Sequence, residues 1–385
     1  MTLLASRFQT QSVLKYVRSE QSLPRSSGNI SDLYPLGMRR LLLFACLLAI
    51  PAIAQASPKQ LTAAAKQLQR DYNKTTGLYS TAGWWNSANS ITTLADLSLT
   101  LHTRRYFPVF ENTLVQAPKK FPGFLNEFYD DEGWWALAWI RVYDVTKDEK
   151  YLKTSEAIFQ DMTTGWDETC DGGIWWSKKR AYKNAIANEL FFSVATSLAL
   201  RTQGAPQAAY RDWAEREWKW FRQTGMINSD HLINDGLTKE CKNNGKTTWT
   251  YNQGVILGAL AGFAALNHDA TAISTANTIT SATLVHLVDP AGVLHDPCEP
   301  NCGEDGIQFK GIFVRNLSDL PISQTYRDAL QRNSQSLWEK AQGPKTAFDE
   351  RWSGPYTHTN AGIQSSALDL LIATRKAEQG RPPKP

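Results

Sequence analysis

YDDEGWWALAWIRVY, residues 129–143, decides how this chain is read. Trp135, Trp139, Val142 and Tyr143 fall at i, i+4, i+7 and i+8, the spacing of one face of an amphipathic helix. Just ahead of that stripe stand two consecutive carboxylates, Asp130 and Asp131. Neighbours on a helix lie about 100° apart around the axis, and on a strand they point to opposite faces, so a shared task demands a special position. The junction between a loop and a helix is one. There Asp130 is expected at or before the N-cap, with non-helical angles that let it turn toward its neighbour. Asp131 is expected on the inward stripe, four residues before Trp135.

Outward from this segment, apolar stretches of helical type recur at 90–103, 151–162, 186–201, 207–222, 252–266, 270–287, 324–341 and 360–375, and long β-type alternation is scarce. Polar, glycine-containing stretches such as ETCDGGIWW and EPNCGEDG separate them. Gly-Trp-Trp occurs at 83–85 and 133–135, and Gly-Ile-Trp-Trp at 173–176. These intervals of roughly 40 to 50 residues are about one helical hairpin with its loops. Residues 57–385 hold six such units without a low-complexity linker, so the chain reads as a single all-α domain, an (α/α)6 barrel of six helical hairpins. An open α-solenoid is the rival architecture, although its repeats usually resemble one another more closely.

The 385 residues are 42% hydrophobic and 20% charged, which argues against both disorder and a multi-span membrane protein. A net charge of +4 is too small and dispersed to imply a nucleic-acid partner. The aromatic content is the unusual feature, with 14 Trp, 13 Tyr and 15 Phe. Buried indoles each need a partner for the N–H, so packing alone does not account for so many, whereas flat rings suit the apolar faces of sugars.

Residues 38–56, MRRLLLFACLLAIPAIAQA, combine a basic start, an apolar run too short to span a bilayer and a small-x-small end, the pattern of a secretory signal peptide cut after Ala56. Met38 then reads as the true start, with residues 1–37 an N-terminal extension of the gene model; a signal anchor is the alternative. The C-terminal KAEQGRPPKP lacks the apolar tail of a glycolipid-anchor signal, so a secreted protein, cell-wall associated or free, with no stable membrane anchor is expected. Signal removal leaves Cys170, Cys241, Cys298 and Cys302. An even count in a secreted chain points to disulfides, and the short loop between Cys298 and Cys302 favours that pair, leaving Cys170 with Cys241. No histidine stands at ligand spacing around them, so no metal is expected. Asn73 and Asn316 head N-glycosylation sequons, and a monomer is the expected state.

If Asp130 and Asp131 share a cavity, their repulsion separates their pKa values, one carboxyl holding a proton while the other ionises. That division of labour is what glycoside cleavage requires. An acidic N-cap is the plainer reading of such a pair, but Phe124, Phe128, Tyr129, Trp134 and Trp135 surround this one with more apolar surface than a solvated cap warrants. Other polar residues stand where the pattern expects apolar ones: Asn184 and Asn188, four apart on one helix face in RAYKNAIANELF, with ordinary capping as the rival reading; Tyr251, Asn252 and Gln253 at a loop-to-helix mouth in TWTYNQGVILGAL; Asp305, Gln308 and Lys310 beside Phe309 in GEDGIQFKGIF; and Asp235 before a glycine in INDGL, equally a simple turn. Tyr129, Trp134, Asn184, Asn188, Asp235, Tyr251, Asn252, Gln253 and Gln308 are the candidates for holding substrate. None of the six histidines belongs to a Ser or Cys nucleophile motif, and Walker and dinucleotide fingerprints are missing from the sequence.

Four segments, YDDEGWWALAWIRVYDVTKDEKYL, CDGGIWWSKKRAYKNAIANELF, TWTYNQGVILGALAGF and QFKGIFVRNL, resemble glycoside hydrolase family 76, the endo-α-1,6-mannanases, in order and spacing. The resemblance implies a retaining hydrolase on an (α/α)6 barrel acting on α-1,6-linked mannan or mannooligosaccharides, with no cofactor. Asp130 would then be the nucleophile and Asp131 the acid/base. Related fungal members that resemble transglycosidases of glycolipid-anchor glycans provide an alternative, and a non-catalytic mannan-binding protein provides another.

Overall fold

In chain order the computed structural model, which describes residues 56–380, contains α1 Pro58–Leu68, β1 Tyr72–Asn73, β2 Leu78–Tyr79, α2 Trp84–Leu101, α3 Phe107–Gln116, α4 Tyr129–Thr146, α5 Glu149–Met162 and α6 Ala185–Ala199. These are followed by α7 Gly204–Gln223, α8 Thr250–Asn267, α9 Ala270–His286, α10 Phe309–Leu317, α11 Gln324–Lys340 and α12 Ala361–Glu378. The extension 1–37 and all of the signal segment except Ala56 lie outside the described residues.

The even-numbered helices pack side by side in the cyclic order α2, α4, α6, α8, α10, α12, and α12 closes the ring on α2. Odd-numbered helices form the outer layer. This is the expected (α/α)6 barrel. A helix enclosed on all sides must be apolar or small around its whole circumference. Helix α6 comes close to that condition, with every residue but Ser197 buried and Asn188 and Glu189 its large polar exceptions, whereas α7 buries only Ala214, Glu217, Trp218, Trp220 and Phe221 and turns its charged face outward. Ser57 starts α1 with a reciprocal capping box to Gln60, and Asn184 and Asn360 cap α6 and α12 through their side-chain oxygens.

The stripe read from the sequence is real. Trp135, Trp139 and Val142 are fully buried, while Tyr143 lies at the margin. Trp135 packs against Trp84 at 4.8 Å between ring centroids and against Phe124 at 4.8 Å. Helices α1, α3 and α10 have no counterpart among the apolar segments identified in the sequence. Helix α10 is nine residues long, about two and a half turns, too short to display the helical period. Cys170–Cys241 and Cys298–Cys302 are both bonded, as expected. The first ties the loop before α6 to the loop before α8.

Toward the C-terminal ends of the inner helices, charged side chains cross the barrel axis. Asp96 of α2 meets Arg141 of α4 at 3.2 Å and Lys376 of α12 at 3.6 Å, Arg141 also meets Asp319 at 3.3 Å, and Arg315 of α10 meets Asp369 of α12 at 3.1 Å. Burial works against the Asp96 charge, but Arg141, Lys376 and Arg315 together hold its pKa below the ordinary value. Asp369 responds differently, burial pushing it up to about 7 despite Arg315. Charges so deeply placed are tolerated only in pairs, so the network also fixes which helices face one another.

Candidate active site

The N-terminal ends of five inner helices converge on a cleft of about 440 Å³. Trp85 comes from α2, Asp130, Asp131 and Trp134 from α4, Asn184 from the cap of α6, Tyr251 from α8, and Asp305 and Phe309 from the entry to α10. The loop between α5 and α6 adds Trp176 and Tyr182, and the loop before α8 adds Asp235. Helix N-termini carry partial positive charge, so this end of the barrel suits carboxylates.

The N-cap of α4 is Phe128, in extended conformation, and Asp130 and Asp131 are the second and third helical residues. This corrects the expectation of a non-helical Asp130. Both carboxylates nonetheless reach the cleft, because it lies across the end of the helix and side chains on either side of the first turn border it. The inward stripe also differs from expectation: Trp134, not Trp135, faces the cleft, and Trp135 belongs to the core.

Burial raises both acids. Asp130 is pushed up to about 8 by burial and then by the charge of Asp131, and Asp131 to about 6 by burial, partly offset by Asn126. The direction is that of a pair holding one proton near neutral pH. The order of the two values alone would place that proton on Asp130. The hydrogen bonds argue for the opposite placement: Asp130 Oδ2 accepts from Trp176 Nε1 at 3.0 Å and Oδ1 from the Asp131 backbone N–H at 3.1 Å, so both its oxygens suit an anion. Asp131 Oδ2 accepts from Asn126, and its Oδ1 has no hydrogen bond among the described residues. Donors fix where a shared proton sits more directly than burial does, because burial acts on both acids alike.

Aromatic rings form the walls. Trp85 stacks on Trp134 at 5.5 Å, Tyr251 on Phe309 at 3.9 Å, and Phe128 packs against Trp176 at 4.9 Å. Two more acids face the same space. Asp305 accepts from Trp85 Nε1 at 2.9 Å, and Asp235 accepts from the Tyr182 hydroxyl, which in turn accepts from Asn244 Nδ2 at 2.8 Å. Flat faces with carboxylates between them are complementary to a sugar's apolar face and its hydroxyl rim.

Of the residues expected at the site, the structure brings together Asp130, Asp131, Trp134, Asn184, Asp235 and Tyr251. Five others do not line the cleft, and four of these serve the scaffold. Tyr129 turns outward, its hydroxyl 3.1 Å from that of Thr164. Asn188 bonds both the N–H and the carbonyl of Ile174, and Gln253 does the same to Ile233. Gln308 links Asn86 to Ser365. Asn252 is fully buried, with neither amide atom bonded among the described residues. An amide one turn into a helix reads alike in sequence whether it faces a cleft or a neighbouring loop. Trp85 and Trp176 were visible only as parts of the repeated aromatic motif, and Tyr182 carried no signal. Lys310 is taken up by ion pairing with Glu299 and by the Glu350 carbonyl.

Asn73 lies exposed at the end of β1, whereas Asn316 sits half-buried on inner helix α10 with Nδ2 donating to the Ile312 carbonyl at 2.8 Å. Among the described residues, the one group able to share a metal is Cys298, Cys302 and Glu350, and its two sulfurs are bonded to each other. A second cavity, of about 390 Å³, opens among the C-terminal ends of the inner helices and reaches Trp134 from behind. Its Arg141, Arg201 and Arg315 are each already paired with carboxylates.

A closed ring of six helical hairpins with two adjacent carboxyls in an aromatic cleft is an arrangement suited to a glycoside hydrolase. The chain belongs to glycosyl hydrolase family 76, whose family model matches residues 54–384. The mannan endo-1,6-alpha-mannosidase DFG5 of Candida albicans is 25% identical over 344 residues, covering 78% of this chain and 74% of that protein. A structure of the Lin0763 protein from Listeria innocua superposes with a TM-score of 0.75 at 24% identity, covering 85% of this chain and 99% of the other. An inactive variant of the alpha-1,6-mannanase GH76A of Salegentibacter sp. HEL1_6, with two consecutive aspartates replaced by asparagine and alpha-1,6-mannotriose bound, gives a TM-score of 0.74 at 19% identity, over 83% and 98% of the two chains.

Proposed function

We propose that this chain is a secreted, retaining endo-α-1,6-mannanase that cleaves mannan backbones between Asp130 and Asp131. In the first step Asp131 gives its proton to the glycosidic oxygen while the Asp130 carboxylate attacks the anomeric carbon; the glycosidic bond breaks and a glycosyl ester forms. In the second, Asp131, now ionised, takes a proton from water as that water attacks the same carbon and releases Asp130. The observation that carries this reading is the placement of the two adjacent carboxyls in one aromatic cleft, Asp130 with both oxygens held by N–H donors and Asp131 with one oxygen unengaged. The names of the relatives support the substrate, and the bonded cysteines together with the 38–56 leader support secretion.

The test is incubation of residues 57–385 with unbranched α-1,6-mannan, following products by mass and anomeric configuration. Short α-configured mannooligosaccharides are expected from the wild type and not from Asp130→Asn or Asp131→Asn. Binding without products overturns hydrolysis, and products formed only with an added acceptor glycan assign transfer instead.

A further inference from the structure

The Trp176 indole is one of two donors on Asp130, yet it comes from a loop and its ring is 37% exposed. Something must hold that loop in place. Backbone bonds supply part of the answer: Tyr129 N–H donates to the Trp176 carbonyl and Lys178 N–H to the Glu127 carbonyl, both at 2.9 Å, and Phe128 and Ser177 form an antiparallel bridge. Because Tyr129 opens α4, these bonds tie the loop edge to that helix, and the Phe128 ring packs on Trp176, but none of them reaches α5.

Lys178 supplies the rest. Two residues beyond Trp176, its ammonium lies 2.9 Å from Glu132 Oε1 and 2.9 Å from Asp161 Oδ2. Glu132 follows directly on Asp131 in the first turns of α4 and is fully buried, while Asp161 belongs to the last turn of α5. The same ammonium lies over the Tyr129 ring, 5.6 Å from its centroid. One cation thus joins the loop, the catalytic helix and its outer partner. We propose that Lys178 is a positioning residue, bridging Glu132 and Asp161 so that Trp176 keeps its N–H on Asp130. This rests on the assignment of Asp130 as nucleophile. The mechanism assigns Glu132 no chemical step, and burial of an acid beside the reacting pair is costly without a role for the cation that meets it.

A donor to a carboxylate favours the anion, so loss of the Trp176 bond raises the pKa of Asp130 and moves the acid limb of the activity profile to higher pH. The test compares wild type with Lys178→Met, Lys178→Arg and the double variant Lys178→Met/Glu132→Gln, which leaves no buried charge unpaired if the single variant folds poorly. Acrylamide quenching of Trp176, read as the difference between each protein and its Trp176→Phe counterpart, reports the loop without any need for activity. Expected are greater Trp176 quenching, a fall in kcat of about 10- to 100-fold with KM little changed, and an upward shift of the acid limb, all restored by Lys178→Arg. Unchanged quenching and an unchanged profile in the folded methionine variants overturn the proposal. Increased quenching in proteins of which none, wild type included, cleaves mannan upholds the brace and overturns the function instead.

Discussion

The backbone N–H of Asp131 donates to Asp130 Oδ1 at 3.1 Å, so each of the two adjacent acids shapes the other: one supplies a donor, the other the charge that competes with it. Helical geometry is retained through both residues. A shared site therefore needs no break in the helix, only a cleft laid across its end.

Replacing either acid by Asn should abolish most activity, by about 10²- to 10⁴-fold or more in kcat, because each serves a different half of the exchange. Stability should not fall. Asp130 is pushed up by burial and by Asp131, so its charge is unfavourable in the fold, and Asp130→Asn removes it while keeping an acceptor. A thermal melt at neutral pH should show Tm equal to or above that of the wild type; a large drop contradicts this reading of the pair.

The pH dependence follows from the same pair. Activity needs one proton on the two carboxyls, so kcat/KM should rise through about pH 6 and fall through about pH 8. For stability the sign is opposite to that of an ordinary salt-bridged aspartate. Both carboxyls are raised above their unfolded values, so the pair binds its proton more tightly when folded; that relative contribution is full below the unfolded values and is lost as pH rises through about 8. Denaturant melts of wild type and Asp130→Asn across pH 4 to 9 isolate this slope, which should be shallower in the variant.

At the other end of the barrel, Asp96→Ala should destabilise the protein by about 3 kcal/mol, since Lys376 loses its carboxylate partner and Arg141 is left with Asp144 and Asp319. The Arg141 and Lys376 side chains are 22% and 20% exposed, so solvent relieves part of the loss but not all of it. Urea unfolding gives the difference directly, and a loss under 1 kcal/mol would show the network to be dispensable.

Gly254→Ala tests the spacing of the inner ring. A Cβ at Gly254 on α8 would lie 2.5 Å from the Cα of Phe313 on α10, and backbone, unlike a long side chain, cannot swing aside. The expected cost is about 1–3 kcal/mol from forcing the two helices apart. Because Tyr251 and Phe309 open these same helices and stack on each other as one wall of the cleft, KM for mannan should rise in the same variant.

Much of this molecule was legible in the residue order. The stripe Trp135, Trp139, Val142 marked an inner helix because a buried face repeats with the helical period wherever the helix has another, different face. Helix α10, only nine residues long, is too short to display that period and was not among the helical stretches read, although its opening residues were. The Asp pair, its aromatic surroundings and both disulfide pairings followed from residue type and local spacing. Tertiary structure alone decided between side chains of like chemistry: Asn184 in the cleft and Asn188 on Ile174, Tyr251 in the cleft and Gln253 on Ile233, Trp134 in the cleft and Trp135 in the core. Each choice depends on a rotation of about 100° per residue and on which distant loop lies opposite. Trp176, Tyr182 and Lys178 likewise gain their roles from α4 and Asp235, chain neighbours only in space. A sequence states what each residue is able to do; the closed ring of helices decides what stands in front of it.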